Sequence, residues 1–480
     1  MRREGQPAPS ERVRTPAPYL RRRIPSGRGA TEQPNVTSET AALTPRFWLA
    51  VLVTGVAAGL LGIAMMAILF TVEAVAFGGG PYLAAVERSR GWARVAPLLV
   101  AGAVAGPAWY LLRRFTKGQR SELDDALWSG DGSLSVRRSV GTSVLSELVI
   151  GTGASIGRES APKLLGGLSG SVLAGPLRLT AEQRRLLVAC GAGAGLAAVY
   201  NVPVAGALFT AEVLLGSIAL PTVLPALACS GVATLTGWLY LHSHAVYPDV
   251  PAYHFEPAEL VWALLAGPLI GLVAAGWIRL VAWVSYRRVG GRWAVAAPLA
   301  AFAILAAIGL RYPQLFGNGK DMANLAFLGD GTVGLFLVLG VLKPLVTALC
   351  LESGASGGLL TPSMSTGAVL GAGLGLAWSH LWPGAAAGAY GVIGGAAMLA
   401  AAMQAPLTGL VLMLEMTHSG FGIAVPVLAA VVTATVVARR IDGYSIYSGR
   451  LAPHERPART LGPWNGASGH DAAPPPSPPS

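Results

Sequence analysis

Apolar residues along this chain neither alternate nor recur as a stripe; they run in long blocks. FWLAVLVTGVAAGLLGIAMMAILF over 47–70 and VWALLAGPLIGLVAAGWIRLVAWV over 261–284 each reach the roughly 20 residues needed to cross about 30 Å of hydrocarbon. They predict spanning helices. Others, such as GLFLVLGVLKPLVTALC over 334–350, are shorter or interrupted by Gly and Pro, which predicts tilted, re-entrant or discontinuous helices. The pattern as a whole predicts an all-α polytopic membrane protein.

Pro-rich polar stretches flank this body. Residues 1–45 and 449–480 cannot bury a core and are expected to be disordered tails around a membrane body at 46–448. Composition agrees, with 53% apolar residues, 12% charged residues and 62 glycines, a balance that departs from soluble usage and suits close helix packing. A formal charge of +11 raises nucleic-acid binding, but its distribution argues for topology instead. Arg2, Arg3, Arg12, Arg14, Arg21, Arg22, Arg23, Arg28 and Arg46 precede the first block, and Arg439, Arg440, Arg450, Arg456 and Arg459 follow the last. The positive-inside rule then places both termini in the cytoplasm of a multi-pass cell-membrane protein, with membrane lipid and no nucleic acid as its partner. No apolar stretch occupies the first 30 or so residues, where a cleavable signal would lie. Cys190, Cys229 and Cys350 are isolated in apolar surroundings and read as packing residues, so neither a metal site nor a cofactor is expected. With no GxSxG elbow or HExxH pair in the membrane segments, the chain does not read as an enzyme.

An internal repeat organises the body. GAGAGLAAVYNVPVAGALFTAE at 191–212 aligns without gaps to GGAAMLAAAMQAPLTGLVLMLE at 394–415, bringing Pro203 onto Pro406, Gly206 onto Gly409 and Glu212 onto Glu415. GASIG at 153–157 pairs likewise with GASGG at 354–358. Two related halves follow, at about 46–240 and 255–448, and spacing alone does not distinguish an inverted from a parallel repeat. Duplicated transporters place their site near the midplane, where interrupted helices meet. Here the Gly-rich interruptions fall at 151–167 and 352–375, one in each half.

In the first interruption, GTGASIGRESAPKLLGG puts Arg158, Glu159 and Lys163 into an otherwise small, apolar stretch. Each would cost roughly 2.5 to 3.5 kcal/mol on a lipid-facing helix centre, so they should face protein or a water-filled cavity. Gly157 permits close backbone approach and Pro162 fits the first turn of a new helix, whose unpaired N–H groups would attract an anion. Glu159 there is either half of a structural salt bridge or a competitor of a permeant anion. Lys163 either adds positive potential to a pore or snorkels to an interface. The second interruption, ESGASGGLLTPSMSTG, offers the same device through Gly358, Leu359, Leu360 and Pro362. A Gly-packed helix crossing would explain that motif equally well if it stood alone.

These residues carry a resemblance to the chloride channel and chloride/proton exchanger (CLC) family over about residues 47–450. GRE at 157–159 resembles the family's GREGP motif, Gly358 to Pro362 resembles its GxFxP motif, and Tyr447 in GYSIYSGRL matches its pore-lining tyrosine. The resemblance implies a homodimer of inverted-repeat subunits of the bacterial type, without C-terminal nucleotide-binding (CBS) domains. Each subunit would carry chloride or another small anion, with protons as co-substrate in the exchangers. It further implies Glu159 as the gating glutamate, with Tyr447, Leu359 and Leu360 around the central anion beside Gly157, Arg158 and Gly358. Aligning KGQRSE with the family's GSGIPE leaves Gly118 where the family has an anion-binding serine, with Ser121 as the compensating hydroxyl. The internal proton glutamate of many exchangers aligns with Val213. That loss favours a glutamate-gated channel or a weakly coupled pathway, with chloride/proton antiport as the alternative.

Overall fold

The computed structural model describes residues 43–451, apart from 120–122 and 129–130. Residues 1–42 and 452–480 of the expected tails and the proposed compensating Ser121 therefore lie outside the described residues, whereas 449–451 are described and Gly449 and Arg450 belong to a short helical turn, Ser448–Arg450. The described body is all-helical. Its first half contains α1 (Pro45–Phe77), α2 (Tyr82–Arg88), α3 (Gly91–Phe115), α4 (Leu123–Trp128), α5 (Val136–Gly151), α6 (Ser160–Ala174), α7 (Ala181–Tyr200), α8 (Pro203–Leu208) and α9 (Leu220–Gly237). The second half contains α10 (Pro257–Tyr286), α11 (Ala297–Arg311), α12 (Lys320–Leu328), α13 (Val333–Glu352), α14 (Leu360–Trp378), α15 (Ala387–Met403), α16 (Pro406–Thr417) and α17 (Ala424–Ile441).

Among the described residues, six helical stretches, including Pro45–Arg88, Pro257–Tyr286 and Val333–Glu352, are long and apolar enough to cross a membrane. The remaining helices are shorter or less continuously apolar than these, as the Gly and Pro interruptions predict. Two of them are buried by protein rather than exposed to lipid: almost every residue of α7 and α15 is enclosed. Glycine makes this enclosure possible. A Cβ on Gly166 of α6 would overlap the Gly191 carbonyl of α7, and one on Gly367 of α14 would crowd the Gly394 carbonyl of α15, so helix backbones touch where small residues face each other.

Packing repeats between the halves. The pair α6 and α7 is matched by α14 and α15, α1 and α9 by α10 and α17, and α5 and α6 by α13 and α14. The two interruptions meet in an antiparallel bridge: the Gly157 N–H donates to the Gly358 carbonyl at 2.8 Å, and the Gly358 N–H to the Gly157 carbonyl at 2.7 Å. The halves are thus inverted, with both helix breaks brought to one point inside the protein.

Candidate functional site

Glu159 precedes α6, so its carboxylate leaves the chain where the first break opens. It is fully enclosed. Rather than pairing with Arg158, it crosses to the second half. The Leu360 amide donates to Oε1 at 2.7 Å, and the Thr361 hydroxyl donates to Oε2 at 3.1 Å. Tyr200, at the end of α7, adds a longer hydroxyl contact at 3.4 Å and lies 2.8 Å from the Thr361 hydroxyl. The carboxylate therefore fills the N-terminal end of α14, where unsatisfied N–H groups and the helix dipole favour negative charge. A Cβ on Gly157 or Gly358 would overlap this carboxylate. Glycine at both bridge positions is what leaves room for it.

Beside Glu159 lies a cavity of about 80 Å³ whose lining includes Ser160, Lys163, Phe209, Ser356, Gly358, Leu359, Tyr447 and Arg450. Drug-sized ligands occupy about 300 Å³ or more, so this space suits a small ion. Lys163 is largely buried there. Its ammonium group lies 5.0 Å from the ring centres of both Phe209 and Tyr447 and donates to the Tyr447 hydroxyl at 3.4 Å. The two rings meet edge to face at 6.0 Å. An ammonium held over two aromatic faces, with low exposure, gives the cavity positive potential; it does not snorkel away from it.

The expected site residues are only partly brought together. Glu159, Leu360, Leu359, Gly358, Lys163 and Tyr447 converge. The Gly157 and Gly358 amides, expected to face an anion, are instead spent on each other in the bridge. Arg158 is absent from the cavity lining; its guanidinium lies 5.2 Å from the Tyr200 ring centre, within electrostatic reach of Glu73 and Glu147. Gly118 is exposed, with a positive φ of 80° and nothing within 4 Å of a Cβ placed on it. From that segment it is Leu123, at the start of α4, that lines the cavity. The alignment that put Gly118 at a serine position was anchored on Glu122, outside the described residues, and Gly118 itself lies in the turn at 116–118. Val213 is buried in a π-helical turn, Phe209–Leu214.

Sequence reasoning missed Tyr200, Thr361, Ser356 and Phe209. Thr361 stood inside the GxFxP-like motif and was the most accessible of them. Tyr200 and Phe209 flank the repeated YNVPVAGALF segment, where a buried aromatic looks like any other core residue. A further pair was visible only as repeated letters. The Glu212 carboxylate accepts from the Leu407 and Thr408 amides at 3.2 and 2.7 Å, and the Glu415 carboxylate accepts from the Val204 and Ala205 amides at 3.1 and 2.7 Å.

A family model described as "Voltage gated chloride channel" matches residues 101–439, more than half of the chain. A Ralstonia nicotianae protein named as a ClcB-like chloride channel protein is 34% identical over 377 residues, covering 75% of this chain and 86% of its own length. An H(+)/Cl(-) exchange transporter ClcA of Yersinia pestis is 31% identical over 313 residues, covering 63% and 65% respectively. Among solved structures, a slow cyanobacterial Cl-/H+ antiporter superposes with a TM-score of 0.75 at 23% identity, over 85% of this chain and 97% of that one. A CLC-type fluoride/proton antiporter gives 0.68 at 21% identity, over 84% and 97%.

Proposed function

We propose that this chain, which belongs to the voltage-gated chloride channel family, exchanges chloride or a similar small anion for protons through the cavity beside Glu159. The observation that carries this reading is the 2.7 Å hydrogen bond from the Leu360 amide to the Glu159 carboxylate. An ionised carboxylate at a helix N-terminus holds the place an anion would take, and its protonation removes the charge that the donors favour. The anion and the ionised carboxylate then compete for one set of donors, so that binding of a proton to the carboxylate is linked to binding of the anion. Tyr447, Lys163 and Leu359 supply the hydroxyl, the positive charge and the helix N-terminus around the incoming anion. The names of the ClcA relatives favour exchange over a passive channel. Val213 favours the channel, because the buried carboxylate that serves protons in many exchangers of this family is missing there.

The same reading takes the protein as a homodimer in the cell membrane with both termini cytoplasmic. Reconstitution into liposomes with a chloride gradient tests it. Chloride efflux that drives protons uphill supports exchange, whereas chloride movement with no proton movement supports the channel.

A further inference from the structure

Exchange needs a proton route to Glu159 from the cytoplasm, and Val213 leaves the usual place for a carboxylate empty of one. A buried carboxylate does occur elsewhere. Glu147, one turn before the end of α5, is fully enclosed, and neither of its oxygens has a hydrogen-bond partner. The charged groups that reach it are Arg158 and Glu159 from the first break and Glu73 from α1. Ionisable residues inside a membrane protein are costly and belong to pathways or pairs.

Glu147 is not alone on its face. Ser143 and Ser139 precede it at intervals of four residues, so all three lie on one face of α5. Both serines are buried, and their hydroxyls likewise lack partners. Successive members rise by about 6 Å, a gap that one bridging water spans, and the stripe covers about 12 Å of helix. Its far end opens near Ser135, the N-cap of α5, whose hydroxyl bonds Gln119 at an exposed turn. Arg138 ties the same end to the Thr116 carbonyl at the end of α3, next to Arg113 and Arg114. That basic cluster marks the cytoplasmic side.

We propose that Glu147 is the internal proton-transfer group of this exchanger, fed from the cytoplasmic end of α5 along Ser139 and Ser143 and delivering to Glu159. The inference rests on the exchange reading above. In the transfer, the protonated Glu147 carboxyl gives its proton to the Glu159 carboxylate, and the proton lost is replaced from the hydroxyl-lined stripe. The transfer moves one negative charge from Glu159 to Glu147, and a proton taken up from the cytoplasmic end then leaves both carboxyls neutral until Glu159 releases its proton on the other side. No electrons change hands. Protons thereby reach the gate on the face of α5, apart from the anion cavity lined by Lys163 and Tyr447.

Parallel chloride and proton fluxes in liposomes, for wild type, Glu147→Gln, Glu147→Asp and the double variant Ser139→Ala/Ser143→Ala, test the proposal. Glu147→Gln keeps the shape but cannot exchange a proton. Its chloride flux should stay within about threefold of wild type while proton flux falls at least tenfold. Glu147→Asp should recover coupling in part, and the double serine variant should slow proton flux at least threefold at constant chloride flux. An unchanged proton-to-chloride ratio in Glu147→Gln, or in the serine variant, overturns the route while leaving exchange intact. Loss of both fluxes in Glu147→Gln protein that still elutes as a single species also overturns it, since Glu147 would then support the anion path. Wild-type chloride flux with no proton movement overturns the exchange reading itself, and the relay with it.

Discussion

Glu212 and Glu415 each cap a helix in the other's half. Glu212 accepts from the first-turn amides of α16, and Glu415 accepts from those of α8. Each helix begins at a proline, Pro203 or Pro406, which needs no N–H partner at that position. The remaining donors of each first turn are satisfied by a carboxylate one repeat away. The exchange is reciprocal, and it explains why a Pro and a Glu recur in register where the surrounding small residues could match by chance.

The cap also removes Glu212 as a stand-in for the proton glutamate missing at Val213, because its carboxylate is engaged with α16. Losing a cap costs about 0.5 to 2 kcal/mol. Glu212→Ala should therefore lower the thermal midpoint of the purified protein while leaving the proton-to-chloride ratio unchanged. Fluorescence-detected unfolding together with paired flux measurements would check this, and a collapsed ratio in well-folded protein would return Glu212 to the proton pathway.

Glu159→Ala removes the carboxylate that fills the donor cradle at α14. In wild type the carboxylate and the anion compete for those donors, so chloride flux should depend on pH. In the variant, chloride flux should persist, proton coupling should vanish and the pH profile should flatten. Stopped-flow or electrode-based efflux across a pH series reads all three. An intact pH profile would show that another group gates.

Lys163 supplies the positive charge of the cavity, and its ammonium group is held between two aromatic faces. Lys163→Met preserves the length of the side chain and removes the charge. Chloride affinity measured by calorimetry should fall about tenfold, equivalent to about 1.4 kcal/mol. Tyr447→Phe should cost less, because one neutral hydroxyl contributes about 0.5 to 1.5 kcal/mol. A larger effect from Tyr447→Phe than from Lys163→Met would mean that the hydroxyl, and not the charge, governs binding.

Much of this site could be read in the sequence because charge is expensive in a membrane. Glu159 and Lys163 stand out in a small, apolar stretch, and the Gly-rich breaks around them recur in both halves. Hydroxyls and aromatics carry no such signal. Thr361 contacts Glu159 only because the inverted halves meet at Gly157 and Gly358, and Tyr200 reaches it from the end of α7, relations that no local pattern encodes. Glu147 was equally hidden, since its role depends on the face of α5 it shares with two serines. Gly118 failed for a different reason: a motif aligned through an ordinary polar loop has no apolar periodicity to fix its register.

That failure reverses an expectation about selectivity. Glycine at the family's serine position implies that chloride and nitrate permeate within about tenfold of each other, roughly 1.4 kcal/mol, and that Gly118→Ser shifts the ratio toward chloride. The structure puts Gly118 in open surroundings at a positive φ of 80°, away from the cavity, while Ser160 and Ser356 line it. A hydroxyl favours one anion only by donating to it in the binding site. Gly118→Ser should therefore leave the chloride-to-nitrate ratio unchanged and lower stability slightly, because a side chain at that backbone conformation is strained. Ser356→Ala should move the ratio, by up to about tenfold if its hydroxyl donates to the anion, which corresponds to roughly 1.4 kcal/mol. Relative efflux rates for the two anions, measured on both variants beside wild type, separate these outcomes. A shift toward chloride in Gly118→Ser would mean that the turn rearranges to bring residue 118 into the pathway when an anion is present.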